Sequence, residues 1–181
     1  MQDHSHTDAP SQHPELDDAT IEFATKVFDL ARTGDGVTLG TLLDQGLPPN
    51  LRNDKGDSLL MLASYHGHLD AVRVLLEHGA DADLLNNMGQ SPIAGAAFKG
   101  NLPMIELLLQ FGADIEGASP DGRTALMVAA MFNRTEIVDF LAARGANVGA
   151  RDAGGNDAAA AAARMGAPDT PAQIERLQQK T

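Results

Sequence analysis

Few residues in this 181-residue chain have the types and spacing that chemistry requires. Two histidine groupings come first. His4, His6 and His13 lie in a polar, acid-rich N-terminal stretch, and His66-x-His68 is followed by Asp70. Imidazoles beside a carboxylate are metal-ligand chemistry. Ligands need a frame to hold them, however, and the N-terminal stretch offers none, so its histidines read as part of a solvated tail. Asp81-x-Asp83 reads as a solvated or capping turn. There is no Gly-Lys-Ser phosphate loop, no His-Glu-x-x-His and no Gly-x-Ser-x-Gly. Cysteine is absent, which excludes a disulfide framework and a cysteine metal site. The expectation is a chain that is not an enzyme and takes no cofactor or metal.

One column of residues does recur with a chemistry of its own. Tyr65-His66, Phe98-Lys99 and Met131-Phe132 each follow a small apolar pair and precede a turn residue, and Arg32-Thr33 and Arg164-Met165 occupy the same station further out. Three of the chain's few aromatic rings fall there. Exposed rings and methionines are typical anchors for another macromolecule. The alternative is that one member of each pair packs against its neighbour in the chain.

The elements that must position this column follow from a period. The phrase 86–118 lands on 53–85 when moved back by 33 residues and on 119–151 when moved forward. Gly56, Gly89, Gly122 and Gly155 fall on that period, as do Gly46, Gly79, Gly112 and Gly145. A fixed period of this length signals a stacked array. Each copy reads turn, helix, turn, helix, turn. Ser91-Pro92 opens the first helix, with Ser as N-cap and Pro at the first helical position, where its missing N–H costs nothing. Ser58 and Thr124 keep the cap. A turn follows at Gly34, Gly67, Gly100 and Gly166, and Asn133 holds that station in the third copy, which predicts a left-handed backbone there. The second helix carries Met104, Ile105, Leu107, Leu108 and Leu109. A single helix pair cannot bury such a stripe alone, and each buried Leu or Ile is worth roughly 1.5–3 kcal/mol. The stripes must therefore bury against neighbouring pairs, which makes stability close to a nearest-neighbour sum.

These copies resemble ankyrin repeats, of the small, single-domain bacterial type. The resemblance rests on Gly56, Ala63, Gly67-His68, Leu75-Leu76 and Gly79-Ala80-Asp81. It recurs at Gly89, Ser91-Pro92-Ile93, Ala96-Ala97, Gly100, Leu108-Leu109 and Gly112-Ala113-Asp114, and again at Gly122, Thr124, Leu126, Ala129-Ala130, Leu141 and Gly145-Ala146-Asn147. The match is clean over 53–151 and looser over 21–166. The histidine of the family's Thr-Pro-Leu-His is replaced by Met61, Ala94 and Met127, which bears on the side-chain bonds between repeats rather than on the fold. The resemblance implies an all-α ankyrin-repeat solenoid with full repeats at 53–85, 86–118 and 119–151. Degenerate caps would occupy 21–52 and 152–181, behind an acidic, disordered tail at 1–20. It assigns His68 to holding its turn. It also places Tyr65, His66, Phe98, Lys99, Met131 and Phe132 along a concave, partner-facing groove. The hairpin tips form the second candidate surface, with Lys55, Met88 and Asp121 at the tips and Arg123 just past the turn glycine.

Two stretches extend the pattern. Phe23, Val27, Leu30 and Ala31 recur near helical spacing, with Phe28 beside them, in a helix that Asp17 or Asp18 could cap. The six alanines 158–163 form a helix with little to bury. Net charge is −12, which lacks the basic footprint nucleic acid needs and argues against an anionic membrane surface. No apolar run approaches 18 residues and the N-terminal stretch is polar, so no span or leader is expected, and the cytoplasm is the expected location. The expected function is non-catalytic: a monomer holding another protein, one with a basic patch, through groove and tips. A regulatory or inhibitory, antitoxin-like subunit of a specific enzyme is the alternative.

Overall fold

The computed structural model describes residues 17–180. His4, His6 and His13 lie outside the described residues. The described residues form ten helices in five successive pairs: α1 (Asp18–Thr33) with α2 (Gly36–Asp44), α3 (Leu59–Tyr65) with α4 (Leu69–Glu77), α5 (Pro92–Lys99) with α6 (Leu102–Gln110), α7 (Ala125–Met131) with α8 (Thr135–Ala143), and α9 (Ala158–Arg164) with α10 (Thr170–Gln178). The β structure among the described residues is one isolated bridge between Arg52 and Ser58.

The caps are those the repeat demands. Ser58 Oγ accepts from Met61 N, Ser91 Oγ from Ala94 N and Thr124 Oγ1 from Met127 N, at 3.0, 3.3 and 3.3 Å. Asp157 does the same for Ala160 N at 2.9 Å. The turn between paired helices is left-handed at Gly34, Gly67, Gly100 and Gly166, and Asn133 adopts φ 54° there. At Gly100 a side chain would also press within 3.2–3.3 Å of the Arg134 guanidinium.

The first helices α1, α3, α5, α7 and α9 each pack on the next, forming one continuous row. The second helices lie behind that row and touch one another less closely, apart from α2 and α4. No two helices from non-adjacent pairs make a substantial contact among the described residues. Leu75, Ile93, Met104, Ile105, Leu108, Leu126, Met127 and Leu141 are sealed between pairs. Leu109 is only partly buried.

Side-chain bonds between units exist despite the missing family histidine, because other residues make them. Arg52 Nη2 donates to the Leu85 carbonyl at 2.7 Å, and Asn87 Nδ2 to the Asp54 carbonyl at 3.0 Å. On the opposite turns, Asp81 N donates to Asn50 Oδ1, Asp114 N to Asp83 and Asn147 N to Glu116 Oε1. Burial raises the Asp83 pKa, against the bond from Asp114 N, which lowers it.

Three expectations change. Helix α1 takes in residues 18–20, assigned above to the tail, because Asp17 Oδ1 caps it by accepting from Thr20 N at 2.7 Å. Phe23 stays about half exposed, since it projects from the first turns of α1, ahead of Val27, Phe28 and Ala31, which are buried. The alanine helix α9 does bury surface: Ala158, Ala159, Ala161 and Ala162 are inside. Their single methyls let α9 lie close against α7 and α10.

Candidate docking groove

The C-terminal ends of α3, α5 and α7 set the predicted column side by side. Tyr65 and Phe98 are 41% and 38% exposed, and His66 and Lys99 beside them are exposed. Met131 and Phe132 are half-buried. The column is partly exposed and also packed between neighbouring helices. Phe132 packs edge-on against Phe98 with ring centroids 4.6 Å apart at 89°, so each ring supports its neighbour while Phe98 keeps an open face. Lys99 reaches across to Tyr65 with its Nζ 4.7 Å from the ring centroid, a cation–π contact between α5 and α3. His66 lies edge-on to Tyr65 at 5.8 Å.

Side chains from the following turns fix the backbone under this strip. His68 Nε2 lies 2.8 Å from the Arg32 carbonyl. Arg134 donates from Nε and Nη2 to the Phe98 carbonyl. Thr170 Oγ1 donates to the Ala130 carbonyl at 2.6 Å. His68 is thus a structural residue, and no group of three or more metal-capable side chains occurs among the described residues.

The tips form four like hairpins, closed by Asn53 N to the Asp57 carbonyl, Asn86 N to Gln90, Ser119 N to Arg123 and Asp152 N to Asn156, at 2.9–3.1 Å. Lys55 is exposed and Met88 is 70% exposed at two of these tips. At a third, Arg123 Nη1 pairs with Asp121 Oδ2 at 3.2 Å, and Asp121 also accepts from Ser119 Oγ.

Tip and strip meet near the ends of α7 and α9. A cleft of about 360 Å³ opens between the Asp121–Arg123 tip, the next hairpin and the ends of α7 and α9. It gathers Asp121, Arg123 and Met131 from the predicted set and adds Asp152, Arg164 and Met165. Lys55 and Met88 stand apart from it. Arg164 and Met165 occupy the station that the column's period gave them in the sequence, outside the predicted contact set. Asp152 and Asn156 share the tip period with Ser119 and Arg123, but their entry into the cleft depends on how two hairpins stack, with Ala153 N donating to the Asp121 carbonyl at 2.8 Å. Asp152 is occupied within its own turn, accepting from Gly154 N, Asn156 N and the Asn156 amide. The bond from Asn156 N, helped by Arg123, holds its pKa below the usual carboxylate value.

Charge is divided between the two faces. Helices α3, α5, α7 and α9 contain no carboxylate, and their charged residues are Lys99 and Arg164. Each second helix carries at least one: Asp44 on α2, Asp70 and Glu77 on α4, Glu106 on α6, Glu136 and Asp139 on α8, Glu175 on α10. The acidity of the chain therefore lies on its second helices, its N-terminal end and its turns, Asp121 and Asp152 of the cleft included, and not on α3, α5, α7 or α9.

Comparison with known proteins agrees with the repeated helix pairs. A family model described as ankyrin repeats in three copies matches residues 28–119 and 96–170. A Pseudomonas aeruginosa protein, PA3287, named for ankyrin repeats, is 66% identical over 68 residues. That match covers 38% of this chain and 39% of the relative, so it spans about two fifths of the relative's length. Among the described residues no helix is long and apolar enough to cross a membrane.

Proposed function

Since the chain belongs to the ankyrin repeat family, whose members generally mediate protein–protein interaction, we propose that it is a non-catalytic module that grips one partner protein along the strip from Tyr65 to Met165. The observation that carries this reading is the pair of rings Tyr65 and Phe98, left open on a fixed backbone where the core could have taken them. An open, shallow strip suits a protein segment better than a metabolite. Tips at Lys55, Met88, Asp121 and Arg123 would form the rim. The chain acts as a cytoplasmic monomer on this reading, over the unit that sequence places at 21–181.

Photo-crosslinking residues placed one at a time at Phe98, Met88 and Glu136 test it in native lysate. A single partner band should form from Phe98, weaker from Met88 and absent from Glu136 on the back. Crosslinks confined to Glu136 would place the working surface elsewhere.

A second reading is favoured by the carboxylates of the back. They would steer an enzyme bearing a basic patch, making the chain its regulatory or inhibitory subunit, antitoxin-like in role. Association would then slow markedly as salt rises. An on-rate indifferent to salt removes this reading and leaves the first intact.

A further inference from the structure

The helices of the strip carry cations and no carboxylate, unlike the acidic chain as a whole, and that difference bears on what the strip holds. The chain has 25 acidic residues, yet none lies on α3, α5, α7 or α9. Lys99 and Arg164 stand at the ends of α5 and α9, with no carboxylate within ion-pair distance among the described residues. The two carboxylates nearest Arg164 in the cleft are already taken: Asp121 by Arg123 and Ser119, Asp152 by three donors of its own turn. Arg164 itself makes only a 3.5 Å contact to Asn156 Oδ1. Lys99 rests on the Tyr65 ring. Beside Lys99 stand the paired rings of Phe98 and Phe132, and Met131 and Met165 share the cleft with Arg164.

We propose that the docked segment of the partner is acidic and extended, with two carboxylate side chains seated at Lys99 and Arg164 and a bulky apolar residue over the Phe98–Phe132 pair between them. The inference rests on the groove reading above and adds the chemistry of its occupant. Its spacing follows from packing. Neighbouring helices sit about 8–10 Å apart, so α5 and α9, with α7 between them, place the two cations roughly 16–20 Å apart. An extended chain advances about 3.3 Å per residue and alternates its side chains, so two carboxylates on one face fall about six residues apart. A long polyanion is disfavoured by the chain's −12, whereas a short acidic segment meets only the strip.

The test is selection of displayed random peptides of about twelve residues, long enough to span the strip, on the immobilised full chain. Enriched peptides should carry paired acids at that spacing around an aromatic or large aliphatic residue. For the best labelled peptide, Lys99→Ala and Arg164→Ala should each weaken binding about two- to fivefold, as partly exposed ion pairs do. The double reversal Lys99→Glu with Arg164→Glu should weaken it by more than about tenfold, while the circular dichroism melt stays unchanged. Enrichment of basic or neutral peptides, indifference to the double reversal, or no enrichment overturns the proposal. Neutral peptides that Phe98→Ala releases would leave the groove reading standing without its acidic occupant. Peptides indifferent to both Tyr65→Ala and Phe98→Ala would remove the groove reading as well.

Discussion

Arg134 holds Phe98 by its backbone. The guanidinium donates from Nε and Nη2 to the Phe98 carbonyl at 3.2 and 3.0 Å, from the start of α8 to the end of α5. A residue 36 positions away thereby fixes the helix end that carries both the open ring and Lys99.

Arg134→Ala should therefore cost about 1 kcal/mol or somewhat more, as loss of a charge-assisted bond does at a partly exposed site. Amides from Lys99 to Leu102 should exchange faster with solvent, whereas those of α3 and α4 should not. Uniform acceleration across all ten helices in a hydrogen-exchange experiment would show that the bond supports the whole row rather than this end.

Gly95→Ala should stabilise the fold. The residue is inside α5, and an added methyl would meet only the Tyr65 ring at 3.9 Å and Met61 Sδ at 4.0 Å, both ordinary contacts. Removing a helical glycine typically gains about 0.5–1 kcal/mol. A urea midpoint that falls instead would mean the Tyr65 ring needs that space.

Asn133→Gly keeps the left-handed turn but removes a cap given to another helix. Asn133 Oδ1 accepts from Asp169 N and Thr170 N at 3.0 and 3.1 Å, and its Nδ2 donates to Asp169 Oδ2 at 2.9 Å. Helix α10 has no side-chain cap from its own N-cap residue. The variant should lose about 1 kcal/mol, comparable to deletion of a cap, with exchange rising first in α10. Unchanged protection in α10 would argue that Thr170 alone holds it.

The pH dependence centres on His78. Its bond to the Val74 carbonyl, then its 3.1 Å contact with Asp44, raises its pKa above the ordinary histidine value, with Glu77 adding a smaller push. A raised folded pKa contributes stability that is full below the unfolded value and lost as pH climbs through the folded one. His78→Gln should therefore cost more at about pH 5.5, below the ordinary histidine value, than at a pH above the raised folded one. Equal changes in the thermal midpoint at both would show that the charge does not matter.

Much of the architecture was legible because its signals are local. Ser58, Ser91 and Thr124 announce helix starts, and Asn133 in a glycine column announced its left-handed turn. What escaped depends on distance along the chain. Arg52 reaching Leu85 joins two units, and nothing beside it in sequence marks it as a bridge. Arg134 reaching Phe98 stands in the column of His68, whose own bond to the Arg32 carbonyl spans the same 36 positions, but an arginine there does not announce that bond. The same holds for Asp152, which enters the cleft only because its hairpin stacks on that of Asp121. Phe23 follows the helical period and still faces water, since periodicity gives a face but not whether a neighbour covers it. The alanines of α9 looked too small to matter, and their smallness is what brings α9 close to α7.

Because each helix pair leans only on the pairs beside it, the molecule can grow without a new folding solution. A tandem copy of 86–118 inserted at its own boundary would bring matching faces at both seams, another ring-and-lysine station, and about one helix spacing of added reach. Gene duplication could thus tune how long a ligand this surface reads while the two ends remain as they are.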